Sequence, residues 1–476
     1  MTDLASTLEL SPARRRLAFY VLLLGSLLPS LNMFVVTIAL PSIRDGLQAT
    51  ASETSLIVAG YSSAYAVFLV TGGRLGDLFG RRLMFVIGMT GFTLMSLLCG
   101  LAPTSAWLVT ARILQGFTAA MMAPTVLASV RALFVDDEVN WALNIYGTGI
   151  GIAVAGGQFL GGMLVAADLW GLGWRATFLI NVPMGLAAIV AALMLVPESG
   201  GQAKPRLDWG GVVLLSSALA TLILPLTMGR EQHWSAAIFV ILAASPFLIA
   251  AFFWFERRLT RAGGMPILDI SLLGIVSFRR GLAAAFLFFF TTPFYLFFSL
   301  YLQAGLGQSA LEAGLAVLPY GVANFVGPMM ATRSPARWRP YLFGTGMALE
   351  VAGYAGVALC AATQTGGPLL FTVLFIGGFG QGIAMPEMIS VILGDVPRHN
   401  AGLAAGIMNS TLQIGAAISV AAIGSLFFAV LGDGTGPADY GTALGIAMGT
   451  QVVILTGSLL FGLAAASRPA RLASQP

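Results

Sequence analysis

Long apolar runs follow one another along this chain, separated by short polar or Gly/Pro-rich breaks. Fourteen runs are long enough to cross a bilayer, because a spanning helix needs ~20 mostly apolar residues. They lie near 17–41, 55–76, 83–101, 106–130, 141–165, 176–196, 209–228, 235–255, 281–303, 310–332, 340–362, 368–394, 402–431 and 442–465. A transmembrane barrel would alternate polar and apolar residues instead. The first run has too long an apolar core for a cleaved leader, and further runs follow at once. The pattern therefore predicts an all-α polytopic membrane protein.

Composition strengthens this reading. Of 476 residues, 57% are hydrophobic and only 9% are charged, against roughly 25% charged in a soluble domain. So few charges could not solvate the surface of a soluble enzyme, and so apolar a chain is not disordered. The net charge of +4 comes from residues scattered over short loops, so no nucleic-acid partner is expected.

Arg and Lys set the orientation of such a chain. With Arg14, Arg15 and Arg16 in the cytoplasm, all but four of the 24 basic residues fall on that side. Arg44, Arg175 and Arg230 fall opposite, and Arg112 lies within a span. Both termini are then cytoplasmic, which requires an even number of spans. The turn-rich segment 198–208 ends an N-terminal six-helix bundle over 1–197. Cytoplasmic linkers with an inserted helical hairpin follow over 198–280, and a C-terminal six-helix bundle over 281–476. Cys99 and Cys360 sit in apolar runs as small hydrophobes, and His233 and His399 are in loops. Neither a metal site nor another cofactor is expected.

An internal repeat is visible. The run from Arg112 and the run from Leu374 align without gaps, pairing Gly116 with Gly378, Phe117 with Phe379 and Pro124 with Pro386. Parallel repeats of this kind build transporters whose site lies at the midplane between the halves.

After the second run stands Gly73-Arg74-Leu75-Gly76-Asp77-Leu78-Phe79-Gly80-Arg81-Arg82. Glycines allow close helix approach across a tight turn, and Asp77 can pair with an Arg or a helix N-terminus. This run resembles the signature loop of the major facilitator superfamily, a conformational gate. Further residues resemble its fourteen-span drug:proton antiporter branch. Arg112-x-x-Gln115-Gly116 is similar to that family's second motif. Gly157-Gln158-Phe159-Leu160-Gly161-Gly162 is similar to its antiporter motif, with Gln158 where Pro is usual. Trp174-Arg175-Ala176-Thr177-Phe178-Leu179-Ile180-Asn181-Val182-Pro183 resembles the branch's W-R-x-x-F-x-x-N-x-P. Leu207-Asp208-Trp209-Gly210, Tyr301-Leu302-Gln303, Gly307-x-Ser309, Gly314 and Pro319 resemble later parts of it. One departure changes the chemistry. Where the branch carries an acid in its first span, this chain has Asn32, which cannot carry a proton.

An ionisable residue inside a span is costly and marks a functional candidate. Three qualify: Arg112, Glu350 and Glu387. Glu350 lies near the middle of its run, while Glu387 follows Pro386 and lies ~9 Å from the middle of its own. Depth favours Glu350. The resemblance favours Glu387, because it implies that span 12 faces a central cavity. Glu387 is therefore the first expectation for a proton carrier, with Glu350 second. Asn32 and Gln115 are expected to bind substrate or orient Arg112. Phe286, Phe288, Phe289, Phe290, Phe294, Tyr295, Phe297 and Phe298 crowd the ninth run, either as lipid-facing filler or as an aromatic cavity wall.

The resemblance implies a cytoplasmic-membrane exporter of small amphipathic molecules, working by alternating access and proton antiport. Its partners would be a small-molecule substrate, protons and the bilayer, and it would be a monomer. Gln158 and Asn32 keep a uniporter or an uptake symporter open as alternatives. A membrane-embedded enzyme would need a convergent nucleophile and base or a metal cluster, and no run supplies one.

Overall fold

The computed structural model describes residues 11–134, 137–198, 208–229, 234–262, 270–396 and 401–466. The turn-rich stretch 199–207, His233 and His399 lie outside the described residues. The described residues form helices and turns and no strand. Within a bilayer the backbone must satisfy its own polar groups, and the α-helix does so locally. Residue contacts gather the chain into two units: Met1–Ile267 with Gln308–Leu315, and Leu268–Gly307 with Ala316–Pro476.

The first unit holds α1 (Pro12–Leu47), α2 (Ala51–Phe79), α3 (Arg81–Gly100), α4 (Ser105–Leu133) and α5 (Asp137–Ala167). A one-turn helix, Ala176–Leu179, leads into α6 (Asn181–Leu195), followed by α7 (Trp209–Met228) and α8 (Ala236–Arg261). Their starts carry the expected chemistry. Pro12 opens α1, Thr50 and Glu53 form a reciprocal capping box on α2, and Thr104 and Asp208 cap α4 and α7. Gly80 alone connects α2 to α3 at φ +100°, a conformation that disfavours any side chain. Phe19, Phe85, Met89, Phe92, Met122 and Ala188 are buried together in the core.

The second unit begins with the predicted ninth span, and this is not one continuous α-helix. It runs as α9 (Val276–Phe288), a tight turn at Phe289–Thr291, α10 (Pro293–Leu300) and a wide π turn at Tyr301–Gly305. Pro293 lacks the N–H that would continue the ladder. After it come α11 (Ala310–Thr332, whose first residues group with the first unit), α12 (Arg339–Ala362), α13 (Pro368–Leu393), α14 (Ala401–Leu431) and α15 (Pro437–Ala466).

Among the described residues, thirteen helical segments are long and apolar enough to cross a membrane. The predicted second span lies within α2, where Leu56–Leu69 forms a shorter apolar stretch of the described residues.

The internal repeat reaches the level of contacts. A Cβ at Gly116 would collide with the carbonyl of Tyr61, and one at Gly378 with the carbonyl of Tyr320. A Cβ at Gly88 would stand 3.0 Å from both the Met122 nitrogen and the Thr118 oxygen. One at Gly346 would stand 2.8 Å from the Ala384 nitrogen and 2.9 Å from the Gly380 oxygen. The gapless alignment that pairs Gly116 with Gly378 also pairs Thr118 with Gly380 and Met122 with Ala384. Each unit thus builds the same glycine seams between helices, where small residues let backbones touch.

Candidate functional site

In the first unit the buried polar residues converge on Arg112 of α4. Its side chain is fully buried. Nε donates to the carbonyl of Ile57 on α2 at 3.0 Å. One terminal nitrogen, Nη1, donates to Asn32 Oδ1 on α1 at 2.5 Å and to Gln115 Oε1 at 2.7 Å. Gln115 Nε2 in turn donates to Ser96 Oγ on α3 at 2.7 Å. The guanidinium lies 4.1 Å over the Tyr61 ring and 5.8 Å from that of Phe178. The Tyr61 hydroxyl donates to the Pro29 carbonyl at 3.1 Å. Arg112, Gln115 and Asn32, expected from sequence to cooperate, therefore form one network across four helices. Within it Arg112 Nη2 and Asn32 Nδ2 are buried and meet no hydrogen-bond partner among the described residues.

The second unit holds a different cluster. Glu350 of α12 is fully buried, and neither carboxyl oxygen meets a hydrogen-bond donor among the described residues. A Cβ at Gly380 of α13 would collide with the Glu350 backbone nitrogen, so the two helices touch there. Tyr295, Tyr320 and Tyr354, all buried, stand within electrostatic range of its carboxyl. Phe294 packs on Tyr320 and Tyr354 with ring centroids 5.0 and 5.3 Å away. Beside these rings, Gln381 Oε1 accepts from Asn324 Nδ2 at 2.6 Å and from the Tyr295 hydroxyl at 3.4 Å. Gln381 Nε2 donates to Thr291 Oγ1 at 3.3 Å, and the Tyr354 hydroxyl donates to the Thr291 carbonyl at 3.3 Å. Glu387 is elsewhere on α13, partly exposed and within electrostatic range of Arg339. The structure thus gives the two candidate acids different surroundings.

Sequence reasoning missed Tyr320, Tyr354 and Gln381 and named Tyr295 only as part of the aromatic run, because uncharged polar residues in an apolar run carry no cost signal comparable to a charge. Glu256 stands just past the predicted run 235–255. Glu256 is fully buried at the end of α8, and a Cβ at Gly211 would meet both its carboxyl, at 2.5 Å, and that of Asp208. A charge at the end of an apolar run reads as a boundary. Most of the predicted aromatic run is interior: Phe288, Phe290, Phe294, Tyr295, Phe297 and Phe298 are buried, and Phe286 and Phe289 are half-buried.

The loop motif ties helices of the first unit together. Gly73 and Gly76 face Pro124 and Thr125 of α4, a Cβ there standing 3.4 and 3.2 Å away. Arg81 Nη1 donates to the Ala128 carbonyl and Arg82 Nη2 to the Leu193 carbonyl, each at 2.8 Å. The Asp77 side chain lies outside the described residues. In the glycine run of α5, a Cβ at Gly157 would stand 3.0 Å from the Leu31 carbonyl, and one at Gly161 2.7 Å from that of Val35. One at Gly162 would stand 2.5 Å from the Ala310 carbonyl. Gln158 is fully buried, and its amide meets no hydrogen-bond partner among the described residues.

Comparison with known proteins agrees with this architecture. The family described as Major Facilitator Superfamily matches residues 22–420. The chain is 37% identical over 426 residues to the probable actinorhodin transporter of Streptomyces coelicolor, covering 88% of this chain and 74% of that protein. It is 33% identical to the tetracenomycin C resistance and export protein of Streptomyces glaucescens, covering 86% of this chain and 75% of that one. The multidrug efflux pump LfrA of Mycolicibacterium smegmatis is 31% identical, with 88% and 82% covered. Among solved structures, an inward-facing bacterial homologue of the human lysosomal transporter Spinster superposes with a TM-score of 0.66 at 17% identity. That match covers 96% of this chain and 98% of the other. At such identity the likeness is one of fold.

Proposed function

The chain belongs to the major facilitator superfamily, and on that premise we propose that it exports small amphipathic, drug-like molecules by alternating access driven by proton antiport. It is a multi-pass cell-membrane protein. The observation that carries the export reading is identity of 31–37% to export and efflux proteins over most of the chain. The proposed topology has fourteen spans with both termini cytoplasmic. In it, bundles over 1–197 and 281–476 flank a hairpin within 198–280. The matching glycine seams support two repeated halves.

The proton carrier in this proposal is a carboxyl of the second unit. Complete burial, with no hydrogen-bond donor among the described residues, supports Glu350 for that role, since a charged carboxylate there would lack compensation. Glu387 is only partly buried, so its carboxyl is less completely removed from solvent than that of Glu350. The test is pH-gradient-driven efflux from vesicles carrying Glu350→Gln or Glu387→Gln. Glu350→Gln is expected to lower coupled efflux about tenfold or more, with Glu387→Gln close to wild type. Unchanged coupling in both variants and in the double variant overturns the carboxyl carrier. Accumulation of compound in expressing cells, where export predicts depletion, overturns the direction.

A further inference from the structure

The network around Arg112 consists of donors and neutral acceptors only. Arg112 always carries its charge. The polar groups facing it are the Ile57 carbonyl, Asn32, Gln115 and the ring of Tyr61, with Cys99 also in electrostatic range. Ser96 is reached through Gln115, and Phe178 adds only a ring. Tyr and Cys are neutral at ordinary pH values, so among the described residues no group here supplies a negative charge. Burying a cation without a counter-charge is costly, and a ring face offsets only part of that cost. Two donor groups are also left over, Arg112 Nη2 and Asn32 Nδ2, both buried and meeting no acceptor among the described residues. The hydrogen bond from Arg112 fixes Asn32 Oδ1 as the acceptor, so Nδ2 remains a donor.

We propose that this donor-only site takes an anionic oxygen, the carboxylate or phenolate of the transported amphipath, and so selects anionic over cationic compounds. The inference rests on the exporter reading and names its substrate class. Arg112 is fully buried with the rings of Tyr61 and Phe178 against it, so entry requires these side chains to move aside. An acid at residue 32 would fill the role internally and exclude the ligand.

The test uses two dyes on one xanthene frame, fluorescein as the anion and rhodamine 123 as the cation. Thermal unfolding of the purified full chain is followed with each. Fluorescein is expected to raise the midpoint by about 2 °C or more, and rhodamine 123 to leave it unchanged. Asn32→Asp, which changes one amide for a carboxylate of the same shape, should abolish the fluorescein shift. Asn32→Ser, which introduces no charge, should keep part of it and so guards against misfolding of the first variant. Sodium acetate distinguishes the source of the anion. An inert acetate assigns the site to the amphipath's own group, and acetate that reproduces the shift and displaces fluorescein overturns that assignment in favour of a free small anion. An equal shift with rhodamine 123, or a fluorescein shift that survives Asn32→Asp, overturns the anion site. Failure of the exporter reading would show separately, as no gradient-driven movement of either dye in vesicles while the binding difference persists.

Discussion

Arg112 directs three of its N–H groups at neutral oxygens, and its Nη2 meets no acceptor among the described residues, so single atoms decide what the first unit can hold. Another residue-scale arrangement governs its stability in acid. Glu53 accepts from the Ser105 hydroxyl at 2.5 Å and from the Thr50 backbone N–H at 2.9 Å. These bonds, that from Ser105 foremost, hold its carboxyl below the ordinary value of 4.5. The folded form thus binds the proton less readily than the unfolded form. The cap's contribution is therefore complete above that ordinary value and is lost as pH falls through the lower folded one. Wild type should melt above Glu53→Gln at pH 7, and the two midpoints should converge on acidification below about pH 4. A difference independent of pH would refute the assignment. Arg112 was legible in the sequence because a charge in an apolar run stands out, and Gln115 and Asn32 because they fall in motifs that resemble the family's. The tyrosines beside Glu350 were not, because an aromatic ring in such a run looks the same whether it faces lipid or a buried acid.

At the scale of elements, helix contacts are set by glycine. Gly378→Ala drives a methyl into the Tyr320 carbonyl, and Gly116→Ala does the same at Tyr61. Each should cost about 1–3 kcal/mol, the usual penalty of overpacking, read as a lower thermal midpoint. Gly449→Ala is the control. Nothing stands within 4 Å of its Cβ, and losing a helical glycine should be neutral or stabilise by about 0.5–1 kcal/mol. Run lengths gave away most helices, and the gapless repeat pointed to the Gly116 and Gly378 seams. The ninth span was less readable. Its apolar run is unbroken, yet Pro293 and two changes of hydrogen-bond pitch divide it. Hydropathy does not register such changes.

For the whole molecule, the proposed orientation has a direct check. Trp170 is 92% exposed in the segment between α5 and α6, and Arg258 is exposed at the end of α8. Single cysteines at these positions, in a background with Cys99 and Cys360 changed to Ala, are expected to react differently. An impermeant maleimide should label Trp170→Cys on intact cells and Arg258→Cys only after permeabilisation. The reverse pattern inverts the topology, and labelling of both on intact cells breaks the even span count.

The paired glycine seams bear on how such a protein changes under selection. Positions where one backbone rests on another admit no new side chain, so they are closed to adaptive substitution. Variation that alters which compounds are tolerated by a cell should collect on the aromatic faces of the second unit and around residue 32, while Gly116, Gly378 and Gly380 stay fixed in the survivors.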